Sequence, residues 1–346
     1  MTELPEVVVL DDYEGALAAS EHLQALRERV AFRFLSDHVE RHSLRAAVGP
    51  ARILVAIRER TRFDSATLEE LDGVELLLQT GGHAYHVDAA RATAQGLAVS
   101  LGRGSRRPTP VVGELVTGLL ISWFRGLPAA FAGMQEDRWP AALGRSLHGR
   151  RLGILGLGRH GVSVARLGRA LGMKVVAWGP TLASERAAAE DVALLPLDEV
   201  LATSDAVTIH LKLSPESTGL IGVRELDLMH PDALLINTSR GPIVDEAALV
   251  DALRGRSIGG AALDVFDTEP LPPSHPLREL DNVLLTPHLG YTVDVAFDDF
   301  ARTTAIQLAA YLDGVLDPDL LLDRAVLEVQ RPGPRLGGFL DSGAGS

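Results

Sequence analysis

The run Arg151-Leu-Gly-Ile-Leu-Gly-Leu-Gly-Arg-His-Gly161 constrains this chain more than any other stretch. A short apolar segment leads into a turn with Gly156 and Gly158, and Gly161 falls at the start of a helical pattern. This is G-x-G-x-x-G spacing in a strand–turn–helix context. The first glycine permits a tight turn, the second lets backbone approach a pyrophosphate, and the third lets helix and strand pack closely. The helix N-terminus adds N–H groups and partial positive charge for phosphates. The turn therefore predicts a dinucleotide site. It lies mid-chain, so another unit precedes it.

Length and patterning agree with two units. A chain of 346 residues suggests two domains. Strands are expected at Val7–Leu10, Ala31–Leu35, Ile53–Ile57, Glu75–Gln79 and Leu97–Ser100. Helices are expected at Tyr13–Arg29, Ser65–Leu71 and Val87–Gln95. This is the βαβ rhythm of a covered parallel sheet. Leu101-Gly-Arg-Gly-Ser-Arg-Arg-Pro-Thr-Pro110 breaks it and reads as an interdomain connection. A long helix from Val111 to about Phe131 follows. A second series has strands at Arg151–Leu155, Lys174–Trp178, Ala206–His210, Ala233–Asn237, Gly260–Asp264 and Val283–Thr286, with helices most clearly at Val162–Leu171 and Glu246–Arg254. A last helix, Val293–Leu312, is read as returning to the first domain.

The expected fold is thus α/β, with two Rossmann-like doubly wound parallel-sheet domains and a cleft between them. Residues 1–104 with 292–330 form a discontinuous substrate domain, 105–291 the dinucleotide domain, and 331–346 a flexible tail. A net charge of −13 speaks against nucleic acid and against an anionic membrane surface. A small anionic substrate remains compatible, because local arginines can invert the field within one site. Cysteine is absent, which removes disulfides and thiolate chemistry. The acidic start, Met1-Thr-Glu-Leu-Pro-Glu6, does not read as a signal peptide. Val111–Phe124 is too short for a bilayer and carries Glu114. A cytoplasmic protein is expected. The histidines show no metal-ligand spacing with carboxylates, so no metal is expected.

Three further segments carry chemistry. Ile236-Asn-Thr-Ser-Arg-Gly-Pro-Ile-Val-Asp-Glu246 puts Arg240 just past a strand end. Ala262-Leu-Asp-Val-Phe-Asp-Thr-Glu-Pro270 puts Asp264 at a strand end and Glu269 in the loop after it. Leu285-Thr-Pro-His-Leu-Gly290 puts His288 after the last strand. Carboxyl ends of strands are where open α/β sheets bind ligands.

In this order, and with the glycine turn, these segments resemble the D-isomer-specific 2-hydroxyacid dehydrogenase family. The resemblance is strong over about Leu101–Gly290 and looser before it. It implies transfer of a hydride between NAD(P)H and a 2-oxo acid or D-2-hydroxy acid, and a homodimer. The helix after Pro110 and the segment through Trp139 are plausible interface pieces. It places the catalytic arginine at Arg240, the carboxylate at Glu269 and the acid/base histidine at His288. Arg240 would bind the substrate carboxylate. His288 would exchange the proton, and Glu269 would orient its ring and stabilise its charge.

By the same resemblance, Arg159 and His160 join Gly156, Gly158 and Gly161 at the pyrophosphate. Thr238 and Ser239 line the nicotinamide side, and Asp264 meets the nicotinamide amide or caps a helix. Thr80, Gly81 and Gly82 would offer N–H groups to the substrate carboxylate. Ile57-Arg-Glu-Arg-Thr61 resembles the first-domain loop of phosphoglycerate dehydrogenases, so Arg58 and Arg60 either meet a second anionic group or belong to a solvated loop. The chain ends before the extra regulatory domain that some phosphoglycerate dehydrogenases carry.

One expected carboxylate is missing. The residue that normally reads the adenosine ribose, at the end of the second Rossmann strand, is Gly179 in Ala177-Trp-Gly-Pro-Thr181. NAD is the family's cofactor, and the loop leaves NADP admissible. Thr181 and Arg186 are nearby candidates for a 2′-phosphate, and a solvated helix start is the alternative for both. Two rival readings remain. Formate dehydrogenase pairs its histidine with glutamine, so Glu269 speaks against it. A cofactor-sensing, corepressor-like protein can keep all three catalytic residues.

Overall fold

A computed structural model describes residues 4–103, 111–139 and 143–329. The chain divides into two compact units, Met1–Thr109 with Val293–Ser346, and Pro110–Thr292.

The first unit begins with a five-stranded parallel sheet. Along the chain run β1 (Glu6–Leu10), α1 (Ala16–Ala19), α2 (Glu21–Gln24), β2 (Ala31–Phe34), α3 (Arg41–Val48), β3 (Ile53–Ala56), α4 (Ser65–Glu69), β4 (Leu76–Gln79), α5 (Ala89–Ala94) and β5 (Ala98–Leu101). The strand order is β2-β1-β3-β4-β5. Near-continuous apolar runs such as Val7-Val-Val-Leu10 and Ile53-Leu-Val-Ala56 are almost fully buried, as strands covered on both faces require.

The second unit holds α6 (Val112–Arg125), α7 (Leu127–Gln135), β6 (Arg151–Leu155), α8 (Arg159–Ala170), β7 (Lys174–Trp178), α9 (Ser184–Ala188), β8 (Ala193–Leu194), α10 (Leu197–Thr203), β9 (Ala206–Ile209), α11 (Val223–Leu228), β10 (Leu234–Asn237), α12 (Glu246–Gly255), β11 (Gly260–Leu263) and β12 (Val283–Leu285). Its parallel sheet has the order β12-β11-β10-β9-β6-β7-β8. From β6 the chain winds outward through β7 to β8, then returns to β9 and winds the other way. The β6/β9 boundary is therefore the topological switch point, where such sheets bind ligands. Apolar clusters fill both faces, one around Val207, Leu235 and Leu263, the other around Ile154, Ile236 and Ala262.

The chain then re-enters the first unit as α13 (Asp294–Leu312). Buried Gln307 on this helix ties it to β5: Ser100 Oγ donates to its Oε1 at 3.0 Å, and its Nε2 donates to Leu101 O at 2.8 Å.

Several expected elements differ in detail. The helix expected over Tyr13–Arg29 is two single turns, because Gly15 is left-handed (φ 63°) and Ser20 is extended and caps the second turn. The long helix after Val111 breaks at Gly126 (φ 63°), with Pro128 in the first turn of α7; the two helices are bent by 67°. No single helix among the described residues is long and apolar enough to cross a membrane. Helix α8 starts at Arg159, so Gly161 lies within its first turn. Helix α3 was not anticipated. Glu40 precedes it without a side-chain cap, and only Leu44 and Val48 are buried. The two-residue edge strand β8 adds a seventh strand to the six expected. Most of the proposed connection, residues 104–110, and the proposed tail, 331–346, lie outside the described residues.

Candidate active site

The glycine turn follows β6. Gly156 is left-handed (φ 100°), and its N–H donates to Trp178 O at 2.7 Å. A Cβ on Gly161 would overlap the carbonyl oxygen of Gly156. The third glycine is thus what lets α8 sit directly on the turn. Gly158, by contrast, would place a Cβ in open space. That is the geometry the middle glycine needs if a ligand, rather than protein, fills the position. No side chain caps the N-terminus of α8, so its first amides are presented as an anion site. Arg159 is exposed at the first helical position and His160 follows it.

Four parallel strands deliver the other loops. The register aligns Ile209 with Asn237, Asn237 with Leu263, and Leu263 with Leu285. The carboxyl ends of β9, β10, β11 and β12 are therefore level. Their loops carry His210, Thr238–Arg240, Glu269 and His288, the last three beside one another at one end of the sheet.

At β10, Asn237 is buried and shapes its own loop. Its Oδ1 accepts from Ser239 N at 3.0 Å, and its Nδ2 donates to Arg240 O at 2.9 Å. Ser239 Oγ donates to Leu211 O. Arg240 is extended (φ −149°), and its Nη1 donates to Ser239 O at 2.6 Å. Thr238 is 8% exposed, and its Oγ1 has no hydrogen-bond partner among the described residues. A buried hydroxyl without a partner is costly, so Thr238 Oγ1 is a group that a ligand at this strand end can satisfy. A Cβ on Gly241 would overlap the Phe266 carbonyl and crowd Asp267 N. The Arg240 loop and the Glu269 loop are consequently packed backbone on backbone.

Glu269 is held at both oxygens. Oε1 accepts from Phe266 N at 2.9 Å, and Oε2 lies 2.6 Å from His288 Nδ1. A carboxylate only accepts, so Nδ1 carries the hydrogen and Nε2 is the nitrogen left for chemistry. The imidazole edge packs on Tyr291, with ring centroids 5.3 Å apart at 69°. His288 is left-handed (φ 54°), a conformation that costs a residue with a Cβ about 1 kcal/mol or more. Asp264 compensates. Its carboxylate accepts from Thr286 Oγ1 at 2.5 Å, Leu289 N at 2.7 Å and Gly290 N at 2.8 Å. Burial pushes the pKa of Asp264 up despite these donors. Asp264 thus fills the capping role, one of the two foreseen, with three donors on its buried carboxylate.

The residues around the second strand end differ from expectation as well. Gly179 and exposed Thr181 follow β7. Arg186 is not merely a solvated helix residue: its Nη2 donates to Leu157 O, inside the glycine turn, at 2.8 Å. His210 was missed by motif reading because it stands alone after β9. Its Nε2 lies 2.9 Å from Thr208 Oγ1. Burial, with His160 nearby, pushes its pKa down to about 3.

In the first unit, the expected substrate loop is largely self-engaged. Thr80 N donates to Ala56 O, and Thr80 Oγ1 accepts from Arg58 N. The Thr80 amide is therefore not available to a carboxylate, which corrects that expectation. Gly81 is buried under the Arg58 guanidinium and Gly82 is exposed. Arg58 is left-handed (φ 55°) and pairs with Glu59 at 3.5 Å. Arg60 does not lie in a solvated loop: its side chain is nearly buried. Glu14 clasps it with two bonds of 2.8 and 2.7 Å, it donates to Asp11 O, and it lies over the Tyr13 ring.

Comparison with known proteins agrees with this architecture. Residues 117–290 match the model of the D-isomer specific 2-hydroxyacid dehydrogenase NAD binding domain. The chain is 36% identical over 321 residues to a D-3-phosphoglycerate dehydrogenase of Mycobacterium bovis, covering 91% of this chain and 58% of that protein. It thus spans somewhat over half the length of that relative. It is 33% identical over 277 residues to a glyoxylate reductase of Korarchaeum cryptofilum, covering 78% and 82% respectively. A phosphoglycerate oxidoreductase from Vibrio cholerae superposes with a TM-score of 0.84 at 29% identity, covering 90% of this chain and all of that one. The chain belongs to the D-isomer specific 2-hydroxyacid dehydrogenase family.

Proposed function

We propose that this chain is an NAD(P)H-dependent oxidoreductase that interconverts a 2-oxo acid and a D-2-hydroxy acid. The observation that carries the reading is the Glu269–His288 pair, fixed by Phe266 N and the Asp264 cap, on strands adjoining the Arg240 loop. The relatives named for phosphoglycerate and glyoxylate chemistry support the same substrate class.

The open position over Gly158, the uncapped amides of α8 and the unpartnered Thr238 hydroxyl fit a dinucleotide. Gly156, Gly158, Arg159, His160 and Gly161 would hold its pyrophosphate, and Thr238 and Ser239 its nicotinamide end. A bound dihydronicotinamide supplies a hydride. His288 holds a proton on Nε2 and gives it to the carbonyl oxygen as that oxygen becomes a hydroxyl; in the reverse direction neutral Nε2 takes it back. Glu269 keeps the ring oriented and offsets the imidazolium charge. Arg240 binds the substrate carboxylate through its fork of donors. Gly81 and Gly82, with Arg58, are the substrate contacts proposed from the first unit. The second unit also exposes Phe131, Met134, Trp139 and Leu143, apolar surface that supports a homodimer.

Steady-state oxidation of NADH and NADPH against glyoxylate, hydroxypyruvate, pyruvate and longer 2-oxo acids tests the reading. Turnover with at least one is expected. Tight cofactor binding with no turnover on any would refute it and favour a cofactor sensor.

A further inference from the structure

The dinucleotide end of the second unit departs from an NAD site at its ribose-reading position. Strand β7 ends at Trp178, and Gly179-Pro-Thr181 follows with no carboxylate; the first acidic side chain is Glu185, on α9. In the usual arrangement a carboxylate here accepts from the ribose 2′-hydroxyl and repels a 2′-phosphate. The next helix, α9, instead brings a cation to the turn. Arg186 reaches back 29 residues to Leu157 O, across the turn where the adenosine half of a dinucleotide is expected. It spends one of five N–H donors there. No carboxylate lies within ion-pair distance of Arg186 or Arg159 among the described residues, whereas Arg150, Arg166, Arg224 and Arg256 all have carboxylate partners. Glu185 precedes Arg186 on the helix, where consecutive side chains do not face each other.

We infer that Arg186, tethered to the glycine turn, selects NADPH over NADH by pairing with the 2′-phosphate beside Gly179. The inference rests on the dinucleotide reading of the turn but not on the oxo-acid chemistry. A 2′-phosphate adds close to two negative charges and three acceptor oxygens, which suit the guanidinium fork. In a chain of net charge −13, two arginines without carboxylate partners flanking one turn give that turn a locally positive field. Thr181, exposed in the same loop, can donate a further bond.

The test is binding, measured without substrate on the full chain. Fluorescence titration yields affinities for NADPH and NADH, and calorimetry yields those for adenosine 2′,5′-bisphosphate and AMP, probes that differ by the 2′-phosphate. The wild type is expected to prefer the phosphorylated member of each pair by about 10-fold or more, the scale of one charged hydrogen-bonded contact. Arg186→Ala should erase most of that preference, and Arg186→Lys should restore part of it. A wild type that binds NADH equally well or better overturns the inference and leaves the oxidoreductase reading intact. Equal weakening of both cofactors by Arg186→Ala would make Arg186 a strut of the turn and also overturn it. Failure of every nucleotide to bind would remove the dinucleotide reading and this one together.

Discussion

The loops at the carboxyl ends of β10–β12 and the loops after β3 and β4 both carry charged side chains at strand ends, yet they use them in opposite ways. In the second unit, backbone donors and a buried cap hold the charges: Phe266 N on Glu269, and Asp264 under the His288 loop. The Nε2 of His288 is the ring nitrogen this leaves for a ligand. In the first unit, charges neutralise each other. Arg60 is closed by Glu14, and Arg58 lies against Glu59. Rigid charge with an open face suits chemistry. Charge closed on itself, as at Arg60, suits shape.

That contrast breaks most sharply at His288. His288→Ala is expected to lower kcat/KM by about 10²–10⁴-fold, the range for a lost acid–base group, while cofactor affinity in fluorescence titration stays near the wild-type value. A loss below 10-fold would assign the proton to another group and end the distinction between the two loop sets.

Gly241→Ala probes how the second unit keeps its loops rigid. A methyl group there overlaps the Phe266 carbonyl, so the Arg240 and Glu269 loops must part. A destabilisation of about 1–3 kcal/mol is expected, read as a lower Tm, with a fall in turnover larger than the fall in cofactor affinity. Unchanged turnover would mean that the two loops need no common support.

The same difference explains what could be read in advance. The second unit's site was legible because each determinant is local: the glycines lie within six residues, and Asn237 shapes the loop that presents Arg240 three residues later. Even the departures there are short-range matters of helix start and strand end. Arg60 was not legible, because its partner Glu14 is 46 residues earlier and no spacing rule links them. Arg186 was only partly legible: its sequence position suggested the ribose end, but its bond to Leu157 O joins α9 to a turn 29 residues earlier, which no spacing rule reveals. His210 carries no motif, and its environment appears only once β9 and α8 are assembled.

His210 gives the comparison a pH axis. Its pKa of about 3 in the fold lies below the ordinary value of about 6.5 for an unfolded histidine. The unfolded chain therefore binds a proton that the native chain refuses. The stabilisation is fully present above pH 6.5 and is lost as pH falls toward 3. About 1–2 kcal/mol should disappear between pH 7 and pH 5, and His210→Gln should flatten that part of a Tm-against-pH curve. An identical slope in the variant would move the effect to the carboxylates.

Arg60→Ala is the mildest change and the most direct check on the first unit. It removes a bidentate pair with Glu14, whose side chain is 35% exposed, so water can solvate the stranded carboxylate and the cost should be only about 1 kcal/mol. The Tyr13 ring loses its covering cation as well. If the charges of this loop only hold shape, denaturant unfolding should register the whole effect and the KM for a 2-oxo acid should stay within about 2-fold of wild type, a change of under ~0.5 kcal/mol. A KM rise of 10-fold or more at unchanged stability would show that Arg60 leaves Glu14 to meet substrate, and the first unit would then present charge to ligands as the second does.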